Sequence, residues 1–296
     1  MPTGLAGLWL SWRYASETTR ARSREIDLPG QLAAIGALGA LAGAIIEGGA
    51  LGWGHPAVIA AFVCAAVLAA LFIWREGRAA QPMLPLSLFG HRLFALTSLV
   101  GLLVNIAVYG LIFVLSLYFQ RINGLSAWWT GLAFVPMMGA VLPVNLLAPR
   151  LAERIGPCTT IVVGACVSAL GCLGLLWIAA ETSYWMICVQ MIAISGGLGL
   201  LVPPLTSTLL GSVEKARSGI AAGVLNATRQ TGSVLGVALF GSLIAGAGAF
   251  MEGLHLSLAI SAAVLLLAAG VIGRGARMNN VSEHTHFPFT IPGTGL

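Results

Sequence analysis

Eight long runs of apolar residues, separated by short polar stretches, occupy most of this 296-residue chain. They fall at about residues 30–51, 56–74, 93–119, 128–148, 159–180, 185–210, 219–246 and 254–272. Most match or exceed the roughly 20 residues that a helix needs to cross a bilayer core. Backbone in hydrocarbon must satisfy its own hydrogen bonds, so each run is predicted to be helical. None shows the alternating polarity of a membrane barrel strand. The expected fold class is an all-α polytopic membrane protein with eight transmembrane helices. The stretch 278–296 carries Asn, His, Pro and Gly without a helical period, and reads as a mobile tail.

Charge placement sharpens the picture. Arg13, Arg20, Arg22 and Arg24 precede the first run, and Arg75, Arg78 and Arg92 lie between the second and third. Arg150 and Arg154 follow the fourth run, Lys215 and Arg217 the sixth, and Arg274 and Arg277 the eighth. If every run crosses, 13 of the 15 cations share one side of the membrane. The other side holds Arg121, and Arg229 lies within the seventh run. The positive-inside rule then gives a multi-pass membrane protein with both termini cytoplasmic.

Composition excludes other classes. The chain is 58% hydrophobic and 8% charged, whereas soluble domains carry about 25% charged residues. The net charge of +5 reflects loop topology and implies no nucleic-acid partner. Cys64, Cys158, Cys166, Cys172 and Cys188 form no CxxC pair and read as small packing residues. His284 and His286 are too few ligands for a metal site. No cofactor is expected, and no reactive constellation suggests an enzyme.

Charged and polar groups within lipid are the candidates for function. Arg229 lies twelve residues beyond Arg217, which at 1.5 Å per residue is ~18 Å along a helix. It stays charged and needs a carboxylate, carbonyls or water; a cavity wall, an ion pair and an interhelix clamp all remain open. Asn226 and Gln230 accompany it as coupling candidates. Glu47 shares a face with Gly39 and Gly43; it is either a proton-titrating carboxylate or a group reaching the outer interface. Asn105, Tyr109 and Phe113 form one stripe of the third run. With Gln190 in the sixth, they are candidates for lining a substrate cavity or for bonding helices together. Gly219, Gly223, Gly232 and Gly236 mark close helix approach in the seventh run. Pro136 and Pro143 share a face of the fourth run, and Pro203 and Pro204 are expected to interrupt the sixth.

The string Leu117-Tyr-Phe-Gln-Arg-Ile-Asn-Gly-Leu-Ser-Ala-Trp-Trp-Thr-Gly-Leu-Ala-Phe-Val-Pro136 closely resembles a pattern of the fourteen-span drug:proton antiporters of the major facilitator superfamily, the EmrB/QacA type. Gly219-Ile-Ala-Ala-Gly-Val-Leu-Asn-Ala-Thr-Arg-Gln-Thr-Gly-Ser-Val-Leu-Gly-Val-Ala238 looks like another family helix. Gln81-Pro-Met-Leu-Pro-Leu-Ser-Leu-Phe89 resembles the segment leading into the ninth span. Asp27-Leu-Pro-Gly30 and Glu47-Gly-Gly-Ala-Leu-Gly-Trp53 resemble parts of the seventh. The resemblance covers about residues 2–275.

The resemblance implies the C-terminal half of such a transporter plus the preceding central two-helix hairpin. Residues 1–29 become the stub of a preceding span and a cytoplasmic linker, 30–75 the hairpin, and 76–92 a second linker. Residues 93–275 become the six-helix C-terminal half and 276–296 a cytoplasmic tail. The implied activity is proton-coupled efflux of small amphipathic compounds across the lipid bilayer of the cell (inner) membrane, incomplete in this chain alone. The N-terminal half is then missing or on another chain, and a non-transporting scaffold or partner subunit is the alternative. Arg150, Glu153, Arg154 and Gly156 resemble a degenerate gating loop. By family placement the glycines of the seventh run, with Pro136 and Pro143, would meet the other half.

Overall fold

The computed structural model describes residues 9, 13, 27–78, 86–214, 217–246 and 250–284. The expected stub and the stretches 14–26, 79–85 and 285–296 therefore lie largely or wholly outside the described residues, as do Arg20, Arg22, Arg24, Lys215 and His286.

Among the described residues from 27 onward, nine α-helices follow one another: α1 Leu28–Leu51, α2 Pro56–Glu76, α3 Arg92–Arg121, α4 Ala127–Ala133, α5 Val135–Ile155, α6 Pro157–Gly174, α7 Tyr184–Gly211, α8 Ser218–Gly246 and α9 Phe250–His284. Among the described residues no strand occurs. Local sequence sets the starts. Asp27 caps α1 by accepting from the Gly30 amide at 3.1 Å, and Pro29 stands in the first turn, where its missing N–H is harmless. Ser126 caps α4, and Pro157 opens α6 directly after Gly156, whose φ of +86° makes the turn from α5.

Among the described residues, seven segments are long and apolar enough to cross a membrane: α1, α2, α3, α4 with α5, α6 with its following turn, α7 and α9. The eighth expected span, α8, has 29 residues but a polar middle, Asn226 to Thr231, which dilutes its apolar character. It is held within the bundle by packing along α3.

The helices pack in a chain of neighbours. α2 lies on α1, α1 on α8, α8 on α3, α3 on α9, α9 on α6, α6 on α7, and α7 on α5. The core sits where α3, α6, α7 and α9 meet, around Leu115, Tyr118, Ile161, Met191 and Leu258. The α6–α7 seam closes through glycines. Gly164 and Gly197 lie so near each other's backbone that a Cβ on either would collide, and Ser168 Oγ donates to the Ile194 carbonyl at 2.8 Å.

Four expectations change. The fourth run divides at Phe134 into α4 and α5: Pro136, in the first turn of α5, has no amide hydrogen to donate to the Leu132 carbonyl, so the ladder is interrupted there. Pro203 and Pro204 do not interrupt α7, which continues through both to Gly211; packing against neighbouring helices overrides the local preference. The helix of the eighth run continues seven residues into the stretch read as tail, ending at His284; Pro288 is the first proline beyond. Cys64 is exposed on α2, unlike the buried Cys172 and Cys188.

Candidate functional site

Among the described residues, Arg229 is the basic residue placed at mid-helix, in the polar middle of α8. Side chains on a helix lean toward its N-terminus, so Arg229 reaches back along α8. Its Nη2 donates to Thr206 Oγ1 of α7 at 2.8 Å. Thr206 Oγ1 donates in turn to the Val202 carbonyl at 2.8 Å, which fixes the hydroxyl. The stem of Arg229 packs beside Gly101 of α3 and Leu205 of α7 approaches the same glycine, so three helices join here. Tyr109 of α3 lies within electrostatic reach of the guanidinium and is 48% exposed. Asn226 and Gln230 are exposed on the adjoining face of α8.

Thr206 carries no sequence signal of this role. Hydroxyls that bond the carbonyl four residues back are common within helices, and the contact spans 23 positions.

The other cavity candidates divide. The amide of Asn105 donates to the Gly101 carbonyl of its own helix at 2.8 Å, and its Cβ lies against Gly232. Phe113 lies against Gly241. Both therefore belong to the α3–α8 seam, and Tyr109 alone of that stripe is open. Gln190 lies over Gly174 in the α6–α7 seam, so it is a packing group there.

The glycine stripe of α8 also divides, and half of its expected role is corrected. Gly232 and Gly236 press on the Leu102 and Ile106 carbonyls of α3, so they close a seam within the bundle. Gly219 and Gly223 have open space where a Cβ would stand. Pro143 is exposed and Pro136 half-buried. Gly39 and Gly43 likewise face open space, and Glu47 is exposed on the same side of α1.

Arg150, Glu153 and Arg154 lie on the last turns of α5, all exposed, before the Gly156 turn. Pro149 is inside the helix, so the segment expected as a gating loop is mainly helix. At the same end of the bundle as α1's start, Arg75 Nε donates to both carboxylate oxygens of Asp27 at 2.8 and 3.0 Å. The Gly30 amide and then the Arg75 guanidinium hold the Asp27 carboxyl below its ordinary pKa. This clamp ties the start of α1 to the end of α2.

At the opposite end, the connection from α6 to α7 is held by side chains from distant helices. Tyr118 Oη donates to the Ala179 carbonyl at 2.7 Å. His255 Nε2 lies 2.8 Å from the Ile178 carbonyl, and Tyr184 Oη donates to the Ala133 carbonyl at 3.1 Å.

The described residues thus form a helical bundle, long and apolar enough to cross a membrane, with a polar junction on α8. Residues 30–237 match the Major Facilitator Superfamily. The chain belongs to that superfamily of transporters. It is 33% identical to the methylenomycin A resistance protein of Streptomyces coelicolor over 289 residues, 96% of this chain and 61% of the relative. It is 36% identical to the multidrug resistance protein Stp of Mycobacterium tuberculosis over 245 residues, 83% of this chain and 45% of that protein. The methylenomycin A resistance protein of Bacillus subtilis is 36% identical over 279 residues, 91% and 60% respectively. The chain thus spans about half to three-fifths of the length of these relatives.

Proposed function

We propose that this chain forms the C-terminal half of a proton-coupled drug exporter in the cell membrane, together with its central hairpin. Residues 30–75 are the hairpin, 93–275 the six-span half and 76–92 the link between them. A second six-span unit, in the same polypeptide or on another chain, closes the cavity. The observation that carries the reading is Arg229: a cation in the middle of α8, anchored to Thr206, with its other donors unsatisfied by protein acceptors among the described residues. Ionisable groups at such depth face a water-filled or substrate-filled cavity. The drug-resistance names of the relatives support the substrate class. The open face of α8 at Gly219 and Gly223 supports a further helix docking there, as the α8 face that does pack on α3 is built in the same way.

The test is reconstitution. Gentle solubilisation of native membranes should recover the chain with about six further spans. Proteoliposomes of that assembly should move at least one of puromycin, methylenomycin A and ethidium against an imposed proton gradient. Recovery without gradient-driven movement of any of the three would defeat the transport reading and leave a membrane scaffold.

A further inference from the structure

The polar junction around Arg229 has an unusual imbalance. Of the ten acidic residues in the chain, none lies in the middle of an apolar run. Asp27, Glu76, Glu153, Glu181, Glu214 and Glu252 stand at or near helix ends or in turns, and Glu47 is in the last two turns of α1. Arg229 makes no ion pair among the described residues, and its hydrogen-bond partner is a neutral hydroxyl. That hydroxyl is itself committed to the Val202 carbonyl, so it orients the guanidinium without neutralising it.

A guanidinium presents five donors in a planar fork suited to a carboxylate. One side is fixed here by Thr206, and the stem is pinned where α3, α7 and α8 join. The remaining donors are free of protein acceptors among the described residues. Tyr109, an exposed phenol with an apolar ring and a polar tip, lies within electrostatic reach of them. A charge within the membrane requires a counter-charge or water. An amphipathic organic anion supplies the first and covers the aromatic surface as well.

We propose that Arg229, positioned by Thr206, binds the carboxylate of an amphipathic organic anion, with Tyr109 beside the apolar body of the ligand. This rests on the cavity reading given above and names its substrate class. The same positive charge repels organic cations from this point, so cationic compounds bind elsewhere in the cavity if they bind at all.

The experiment uses the assembly recovered from native membranes, this chain with its further spans, in nanodiscs of phosphatidylcholine, which carries no net charge. Calorimetric titration compares naphthalene-1-carboxylate with its neutral isostere, naphthalene-1-carboxamide. The carboxylate should bind roughly tenfold more tightly, the worth of one good charge-assisted hydrogen bond. Arg229→Gln should erase this preference while leaving amide binding unchanged, and Arg229→Lys should keep part of it. Thr206→Val should weaken carboxylate binding and Thr206→Ser restore it, which a merely structural hydroxyl would not do selectively. Arg121→Gln, at the far end of α3, should have no effect. Equal binding of the two probes, or a preference that survives Arg229→Gln, overturns the anion site and leaves the cavity standing. Binding of neither probe overturns the cavity reading together with it.

Discussion

Asp27 does two jobs with one carboxylate. It caps the first turn of α1 and receives both hydrogen bonds from Arg75, forty-eight residues away. Because its folded pKa is lowered, the clamp is complete above the ordinary carboxylate range. It weakens as pH falls through the lowered folded value. Hydrogen exchange at the Gly30 and Gln31 amides should therefore accelerate only in strong acid. Asp27→Asn should keep most of the cap, since Asn is nearly as good an N-cap, but lose its acid dependence; Asp27→Ala should fray the turn at neutral pH. An unchanged acid profile in Asp27→Asn would show that some other group governs the turn. Sequence reading reached part of this scale. Arg229 was visible because a charge within an apolar run has no ordinary explanation. Its anchor was not, because Thr206 resembles any helical threonine and the contact exists only once α7 and α8 are packed.

Helix seams are decided by where backbone comes close to backbone. Gly232 and Gly236 admit the carbonyls of α3, whereas Gly219 and Gly223 meet nothing. Gly232→Val should destabilise the α3–α8 seam by about 1–3 kcal/mol, the usual penalty for overfilling a packed interface. Gly223→Val should be nearly neutral in this chain. Thermal unfolding in one detergent compares the two, and equal losses would contradict the assignment of faces. The sequence spacing told that α8 approaches other helices closely, but all four glycines look alike in a linear pattern. Which two are filled depends on the rotation of α8 against α3. The prolines misled for a similar reason. Pro203 and Pro204 are helix breakers in water, but within a bundle α7 runs on through them.

For the whole molecule, the apolar runs and loop charges made the helical bundle legible, because lipid enforces a simple length and polarity rule. Order around the bundle was not legible, since α3 and α9, or α1 and α8, are far apart in sequence. Orientation belongs to this scale too. With native cysteines replaced, Arg121→Cys should react with an impermeant maleimide in intact cells. Arg154→Cys should react only after permeabilisation. Labelling of Arg154→Cys in intact cells would reverse the assigned orientation. The paired prolines of α7 have a mechanical meaning as well. Lacking amide hydrogens, they leave the Gly199 and Leu200 carbonyls without their usual donors four residues on, so the ladder is weakest over that turn. The weak turn lies between Gly197, which is locked to α6, and Thr206, which holds Arg229. A bend of α7 at that turn would leave the end locked to α6 in place and displace the other, as a lever whose arm carries the anchor of the half-buried Arg229.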